Sequence, residues 1–346
     1  MPTDNHSLSP QPVVHQQEQG SSSSPPGSDR RVFLGLTLWQ LAVIFGVAAY
    51  VYVATLLFGV AFRYLCLGAI LIGLAASGRA DARRFLRDWF PLLLFWIGYD
   101  GMRDFADQIL PRVAVWAPYA LEVRLFGWMT GGSVPAIYCL NLLADSAWRP
   151  LVYSVAEMFY WSHFVAIPAY MLYLWWHPPT SARFRRFVYG ITLLHILALV
   201  TYIVYPAAPP WYVFHFGFQQ PSPELLANPA FLPTPMFFKR LWAANPNWFA
   251  AIPSLHGAYP VFLFVTLGAR NRHRLLALGY TLGVWLATVV LGHHYIIDLL
   301  LGALYAWVSA WVGNLYREKT QAPAAARVEG PVQEKNAFDS QPPLTG

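Results

Sequence analysis

Histidines and carboxylates set in an otherwise apolar chain are where chemistry can be read, because each is costly to keep there. His294 and Asp298 stand four residues apart in Gly292-His293-His294-Tyr295-Ile296-Ile297-Asp298. On a helix, that separation puts both side chains on one face. A carboxylate there can hold one imidazole nitrogen and leave the other free to transfer a proton. The plainer reading is a buried His–Asp pair that only ties helices together. A second stretch, Ala251-Ile252-Pro253-Ser254-Leu255-His256-Gly257, reads as the start of a helix. Pro253 suits a first helical turn, the Ser254 hydroxyl can donate to a phosphate oxygen, and amides at a helix start attract anions. Two histidines, one carboxylate and an anion-ready helix start, at one depth, point to phosphate chemistry rather than to a structural tie.

A membrane fold is what would bring the two stretches to one depth. Of 346 residues, 56% are hydrophobic and 12% charged, against about 25% charged in soluble domains. The 15 tryptophans and 19 tyrosines suit interfacial belts. A spanning helix takes about 20 mostly apolar residues. Such runs cover 33–53, 55–77, 90–110, 150–176, 187–206, 255–269, 275–292 and 295–315. The expected fold is therefore all-α, a polytopic membrane bundle of about 8 transmembrane helices with a six-helix core. Residues 1–31 and 318–346 read as polar, disordered tails, and 32–317 as the transmembrane catalytic domain with its core at about 90–315.

Arginines set the orientation. Arg30 and Arg31, the group from Arg79 to Arg87, Arg183 to Arg186, Arg270 to Arg274, and Arg317 with Lys319 form five clusters. Eight spans put all five on one side, which the positive-inside rule makes the cytoplasm. Both termini are then cytoplasmic, and segments 111–149 and 207–254 lie outside, with the site, in a multi-pass protein of the cell membrane. The net charge of +6 follows from these loops and is no nucleic-acid footprint. Cys66 and Cys139, the only cysteines, indicate neither a disulfide framework nor a thiolate metal site.

Taken together, Pro253-Ser254-Leu255-His256 and His294-Tyr295-Ile296-Ile297-Asp298 resemble the second and third signatures of the type 2 phosphatidic acid phosphatase superfamily. His293-His294-Tyr295, with Ala208-Pro209-Pro210-Trp211 upstream, looks more like its inositol phosphorylceramide synthase branch. The resemblance implies a metal-independent lipid phosphatase or phosphotransferase with no cofactor. It makes His294 the nucleophile that forms a phosphohistidine, Asp298 its orienting partner, His256 the general acid and base, and Ser254 a ligand of a phosphoryl oxygen. Substrates would be a lipid phosphate or phosphodiester and an alcohol or water acceptor, met within the bilayer. The family's first signature, a Lys and an Arg-Pro along one helix, is absent in its usual form. Candidate substitutes for its cations are Arg103 in the third span and Lys239 or Arg240 in the outer loop. Glu157 and His163 are further polar groups in the fourth span, fit either for the headgroup or for each other.

Two other readings stay open. A transporter or channel also carries intramembrane His, Asp and Arg, though no repeat with matched broken helices is visible. A metal site built from His256, His293, His294 and Asp298 is the second. The topology is testable by itself. In a cysteine-free background, a cysteine at Gln220 should react with a membrane-impermeant maleimide in intact cells, and one at Arg272 should not. The reverse pattern overturns the orientation.

Overall fold

The computed structural model describes residues 31–33 and 36–37, scattered positions from 42 to 53, and then 84–176, 181–226, 245, 247–267 and 273–320. Contacts divide the chain into two units, Met1–Ala42 and Val43–Gly346. In the first, strand β1 (Arg31–Phe33) pairs antiparallel with β2 (Leu36–Thr37), where the first apolar run was expected to start as a helix. The expected span at 55–77 lies outside the described residues.

The second unit is helical throughout its named elements: α1 (84–100), α2 (Trp116–Phe126), α3 (Pro135–Leu143), α4 (Arg149–Trp161), α5 (His163–Trp176), α6 (Ser181–Val204), α7 (Pro210–Phe216), α8 (Leu255–Thr266), α9 (His273–Val290) and α10 (Ile296–Thr320). Three of them hold stretches long and apolar enough to cross a membrane, Ala182–Val204, His273–Val290 and Ile296–Leu315, with mean hydropathies of 2.1, 1.3 and 1.7. Leu275, Leu276 and Leu286 on α9 and Trp307 and Trp311 on α10 are all more than half exposed. Such outward apolar faces fit a lipid surround, since water-facing helices carry polar residues there.

Several expected spans take a different form. The run expected at 90–110 is a continuous α-helix only to residue 100 and then passes through a 3₁₀ turn at Gly101–Phe105, a single α-turn at Ala106–Ile109 and a second 3₁₀ turn at Leu110–Arg112. Gly101, Asp104, Asp107 and Pro111 interrupt it, and hydropathy summed over a window averages such breakers away. The run at 150–176 is two helices that meet at Ser162, whose hydroxyl donates to the Phe159 carbonyl at 2.6 Å. Backbone competition by a serine hydroxyl is a standard cause of such breaks. The run at 255–269 is the shorter α8, 12 residues long.

The core is a triple packing of α6, α8 and α10. Tyr202, Phe187, Ile191 and Leu194 of α6, Phe262 of α8 and Leu299 of α10 are buried to 2% exposure or less. Helices α8 and α10 approach closely because both carry glycine at the crossing. A Cβ on Gly257 would lie 2.8 Å from Leu299 Cδ2, and one on Gly302 would collide with the Ser254 carbonyl oxygen. Absent side chains let two backbones come together, as in many membrane helix pairs. Gly302→Ala should therefore push α10 off Ser254. Overpacking of this kind costs about 1–3 kcal/mol. The expected outcome is a lower Tm in detergent together with lost turnover, and wild-type values for both would show that the crossing can relax.

Candidate functional site

Three segments are laced together by main-chain bonds. The Ala114 N–H donates to the Pro206 carbonyl (2.8 Å), the Ala208 N–H to Ala114 (3.0 Å), and the Ala207 N–H to Phe249 (2.9 Å). From the same Ala-Pro-Pro-Trp element, the Trp211 N–H donates to the Gly292 carbonyl at 2.8 Å. The element thus braces the approach to both signature stretches, one on each side. Gly292 has φ +71°, a left-handed conformation that glycine adopts without strain, and it turns the chain into His293 and His294. Between the two stretches themselves, the Ser254 N–H donates to the Asp298 carbonyl at 3.0 Å, and the Tyr202 hydroxyl donates to the Pro253 carbonyl at 2.8 Å.

These ties set the two histidines side by side. His256 Nδ1 lies 3.1 Å from His294 Nε2. His294 Nδ1 lies 3.1 Å from the Ala251 carbonyl oxygen and 3.4 Å from Asp298 Oδ2. A carbonyl can only accept, so His294 carries its proton on Nδ1 and offers a lone pair at Nε2. The Nδ1–H of His256 then points at that lone pair. Asp298 Oδ2 also accepts from the Tyr295 N–H at 2.8 Å, which fixes the carboxylate. His294 and Asp298 are 3% and 0% exposed, so the pair is sealed on this side. His294 does not share a helix with Asp298 as its spacing suggested. It sits in the turn before α10, and Asp298 is in the first turn, so the two meet across a helix start.

An aromatic cage holds His256. The Tyr160 ring stacks on it at 3.9 Å between centroids, and His163 meets it edge-on at 4.6 Å. Tyr160 also packs 4.6 Å from the His293 ring. Behind, the Tyr259 ring stacks on His163 at 5.3 Å, and His195 Nε2 lies 2.7 Å from the Tyr259 hydroxyl. Glu157, expected to bind headgroup or His163, accepts from the Trp161 indole, while His163 Nδ1 donates to the Tyr160 carbonyl at 2.8 Å.

The remaining expected site residues fare unevenly. Ser254 is fully buried, and its hydroxyl oxygen caps α8 by accepting from the Gly257 N–H at 3.0 Å. One amide of the anion-ready helix start is thereby taken. Pro253 lies before that cap rather than in the first turn. Arg103 falls in the 3₁₀ turn Gly101–Phe105, but its side chain, like Lys239 and Arg240, lies outside the described residues. Among the described residues, no three His, Cys, Asp or Glu side chains are placed to hold a metal.

The structure adds two residues that the sequence reading passed over. Arg149 opens α4 and lines a cavity of about 240 Å³ together with Asp145, Tyr153, Trp211, His215 and His293. Its Nη1 donates to the Ala144 carbonyl at 2.8 Å, its guanidinium lies over the Tyr153 ring, and its buried Nε has no partner among the described residues. The signal was present as Arg149-Pro150, an Arg-Pro pair without the lysine. Glu122 on α2 is 0% exposed and accepts from the N–H groups of Ile296 (2.9 Å) and Ile297 (3.1 Å) at the start of α10. Burial pushes its carboxyl up to about 7, against the pull of the two amides. Nothing in its local sequence announces it.

The cage generates a direct expectation. Tyr160 is 2% exposed, and truncating a buried aromatic costs about 3–5 kcal/mol. Tyr160→Ala should lower Tm and turnover together by freeing the His256 ring, and Tyr160→Phe should keep most of both. A fully active Tyr160→Ala protein would remove the cage from the site.

Comparisons with known proteins identify relatives of the chain. The phosphoinositol dihydroceramide synthase of Bacteroides thetaiotaomicron is 29% identical over 283 residues, covering 78% of this chain and 90% of that protein. The inositol phosphorylceramide synthase of Candida albicans is 26% identical over 202 residues, covering 56% of this chain and 41% of the yeast protein. No solved structure matches. The sequence profile of the PAP2 superfamily matches residues 138–312, from within α3 to near the end of α10. That stretch holds the histidine pair, Asp298, Ser254 and the Arg149 cavity, and the chain belongs to the PAP2 superfamily, on its inositol phosphorylceramide synthase-like branch.

Proposed function

We propose that this membrane lipid phosphotransferase moves a phosphoinositol-type headgroup from a donor phospholipid to the hydroxyl of a ceramide-type lipid, at the outer face of the membrane. The observation that carries the reading is the 3.1 Å approach of His256 Nδ1 to His294 Nε2, with the opposite nitrogen of His294 pinned by Ala251 and Asp298. In the first step, the Nε2 lone pair attacks phosphorus and an N–P bond forms. The P–O bond to the donor's lipid alcohol breaks, and His256 supplies the proton that alcohol needs. In the second, the acceptor hydroxyl gives its proton to His256, its oxygen bonds to phosphorus, and the N–P bond breaks. Water in place of the lipid alcohol would make the same site a phosphodiesterase.

Asp298 keeps the imidazole oriented and balances the positive ring of the phosphohistidine. Ser254 is assigned to a phosphoryl oxygen through its hydroxyl proton, since its oxygen already serves α8. The cation that the family's first signature normally supplies falls to Arg149, which lines a cavity together with His293, the residue next to His294. Arg103, Lys239 and Arg240 remain candidates for the outer approach. The names of the two relatives support headgroup transfer over simple phosphate release. Eight spans, an outer site and cytoplasmic termini complete the reading.

The test uses purified protein in vesicles with phosphatidylinositol labelled in the inositol ring, without acceptor. After rapid quenching, acid-labile, base-stable label should be on the wild-type protein and absent from His294→Ala. His256→Ala should acquire it slowly, because loss of acid–base catalysis costs about 10²–10⁴ in rate. Adding a ceramide should chase the label into lipid. Label on His294→Ala with none on His256→Ala would exchange the two roles, and an unlabelled but active wild type would remove the covalent step.

A further inference from the structure

Glu122 stands outside every signature stretch, on an outer helix 174 residues away in sequence from Ile296. Its placement is specific. The first N–H groups of a helix have no partner within it, and at α10 three in succession are taken by just two carboxylates. Tyr295 N–H donates to Asp298 Oδ2 at 2.8 Å, Ile296 N–H to Glu122 Oε1 at 2.9 Å, and Ile297 N–H to Glu122 Oε2 at 3.1 Å. A neutral Ser or Asn caps a helix as well as a carboxylate does. A buried carboxylate beside a second one is the costlier choice, and the two repel, since the neighbouring Asp298 adds to the rise of the Glu122 carboxyl. Capping alone therefore does not account for a glutamate here. What a glutamate adds is two acceptors on one rigid group, gripping the two amides that follow the one holding Asp298.

We propose that Glu122 is a positioning residue of the phosphotransfer site, clamping the first turn of α10 so that Asp298 Oδ2 stays between the Tyr295 amide and His294 Nδ1. It acts through Asp298 and touches neither histidine nor substrate. Asp298 Oδ2 sits at 3.4 Å from His294 Nδ1, the long edge of hydrogen-bonding range, so small shifts of the turn decide whether that contact exists. The helix that carries Glu122 also packs on α10 through Tyr119 and Val123, which gather with Val134, Ala136 and Tyr295 in one apolar cluster. The clamp thus couples the outer segment to the nucleophile.

The assignment rests on the reading of His294 and Asp298 as the reacting pair, and the experiment separates the two. Glu122→Gln keeps the shape but turns one acceptor into a donor facing an N–H, and Glu122→Asp keeps both acceptors on a shorter stem. In full-length protein in vesicles of phosphatidylinositol with ceramide, Glu122→Gln should lower kcat, approaching 10²-fold, the scale of a misplacement of about 1 Å. KM should stay within about twofold, because the residue does not meet substrate. Glu122→Asp should recover part of the loss. A second readout does not depend on turnover: in ¹⁵N-histidine-labelled protein, the Nδ1 signal of His294 should move in Glu122→Gln and move back in Glu122→Asp. An unmoved signal overturns the proposal, whatever the activity, and so does a kcat equal to wild type. A moved signal in a protein inactive on every donor upholds the clamp and rejects the assigned reaction instead.

Discussion

The N–H of Ser254 donates to the carbonyl of Asp298, and this one main-chain bond joins the two signature stretches. Ser254 caps α8, so His256 in the first turn of that helix has its position set from the bond outward. Asp298 lies in the first turn of α10, and its side chain reaches back to His294. The bond needs the two helices to come within main-chain distance, which the glycines at 257 and 302 permit. It also needs the loops before each helix to be held, which the Ala-Pro-Pro-Trp element does through Phe249 and Gly292. A side chain at Gly257 or Gly302 would press α8 and α10 apart and move the histidines relative to each other. A geometry fixed before substrate arrives is what lets electrostatic and proton-transfer catalysis act without reorganising the protein.

Much of the candidate site was legible in the sequence, and the reasons are physical. Residues costly to hold in an apolar chain stand out wherever they occur, so His256, His294 and Asp298 were found without any knowledge of packing. Their mutual approach was legible too, from the two apolar runs between the stretches. What the spacing could not give was the local path. Four residues suggest one helical face, yet His294 lies before its helix and reaches Asp298 through a turn. The Ala251 carbonyl, which fixes the tautomer, leaves no trace in residue identity, because any residue supplies a carbonyl. Glu122 was invisible for the opposite reason. Its partners are amides far along the chain, and its neighbours Leu121 and Val123 give it the look of an ordinary helix acid. Arg149 was visible and passed over, because the lysine expected with its Arg-Pro pair is missing.

The fold divides along the same line. Hydropathy measures the preference of a segment for lipid, and α6, α9 and α10 answer to it closely. It is silent on hydrogen bonding within the segment, so it carried one helix across Gly101 and another across Ser162. Both breaks fall where polar side chains are buried nearby, Asp100 before the first and Glu157 and His163 around the second. Irregular backbone at membrane depth survives only where protein or a polar cavity receives it. A sequence reading that treats each apolar run as a rod will lose these joints, and in this fold they flank the site.

The frame around the histidines is made mostly of main-chain groups: Ala114 with Pro206, Ala207 with Phe249, Trp211 with Gly292, Ser254 with Asp298. Bonds of that kind prescribe the path of the chain but not which side chains it bears, apart from the spots where only a small residue fits, such as the fully buried Ala207 and Ala208. Lineages that keep this frame are free to drift almost everywhere else while His256, His294 and Asp298 stay in register. An identity of 29% across 283 residues is compatible with such a frame, whose bonds depend on backbone and on a handful of polar atoms.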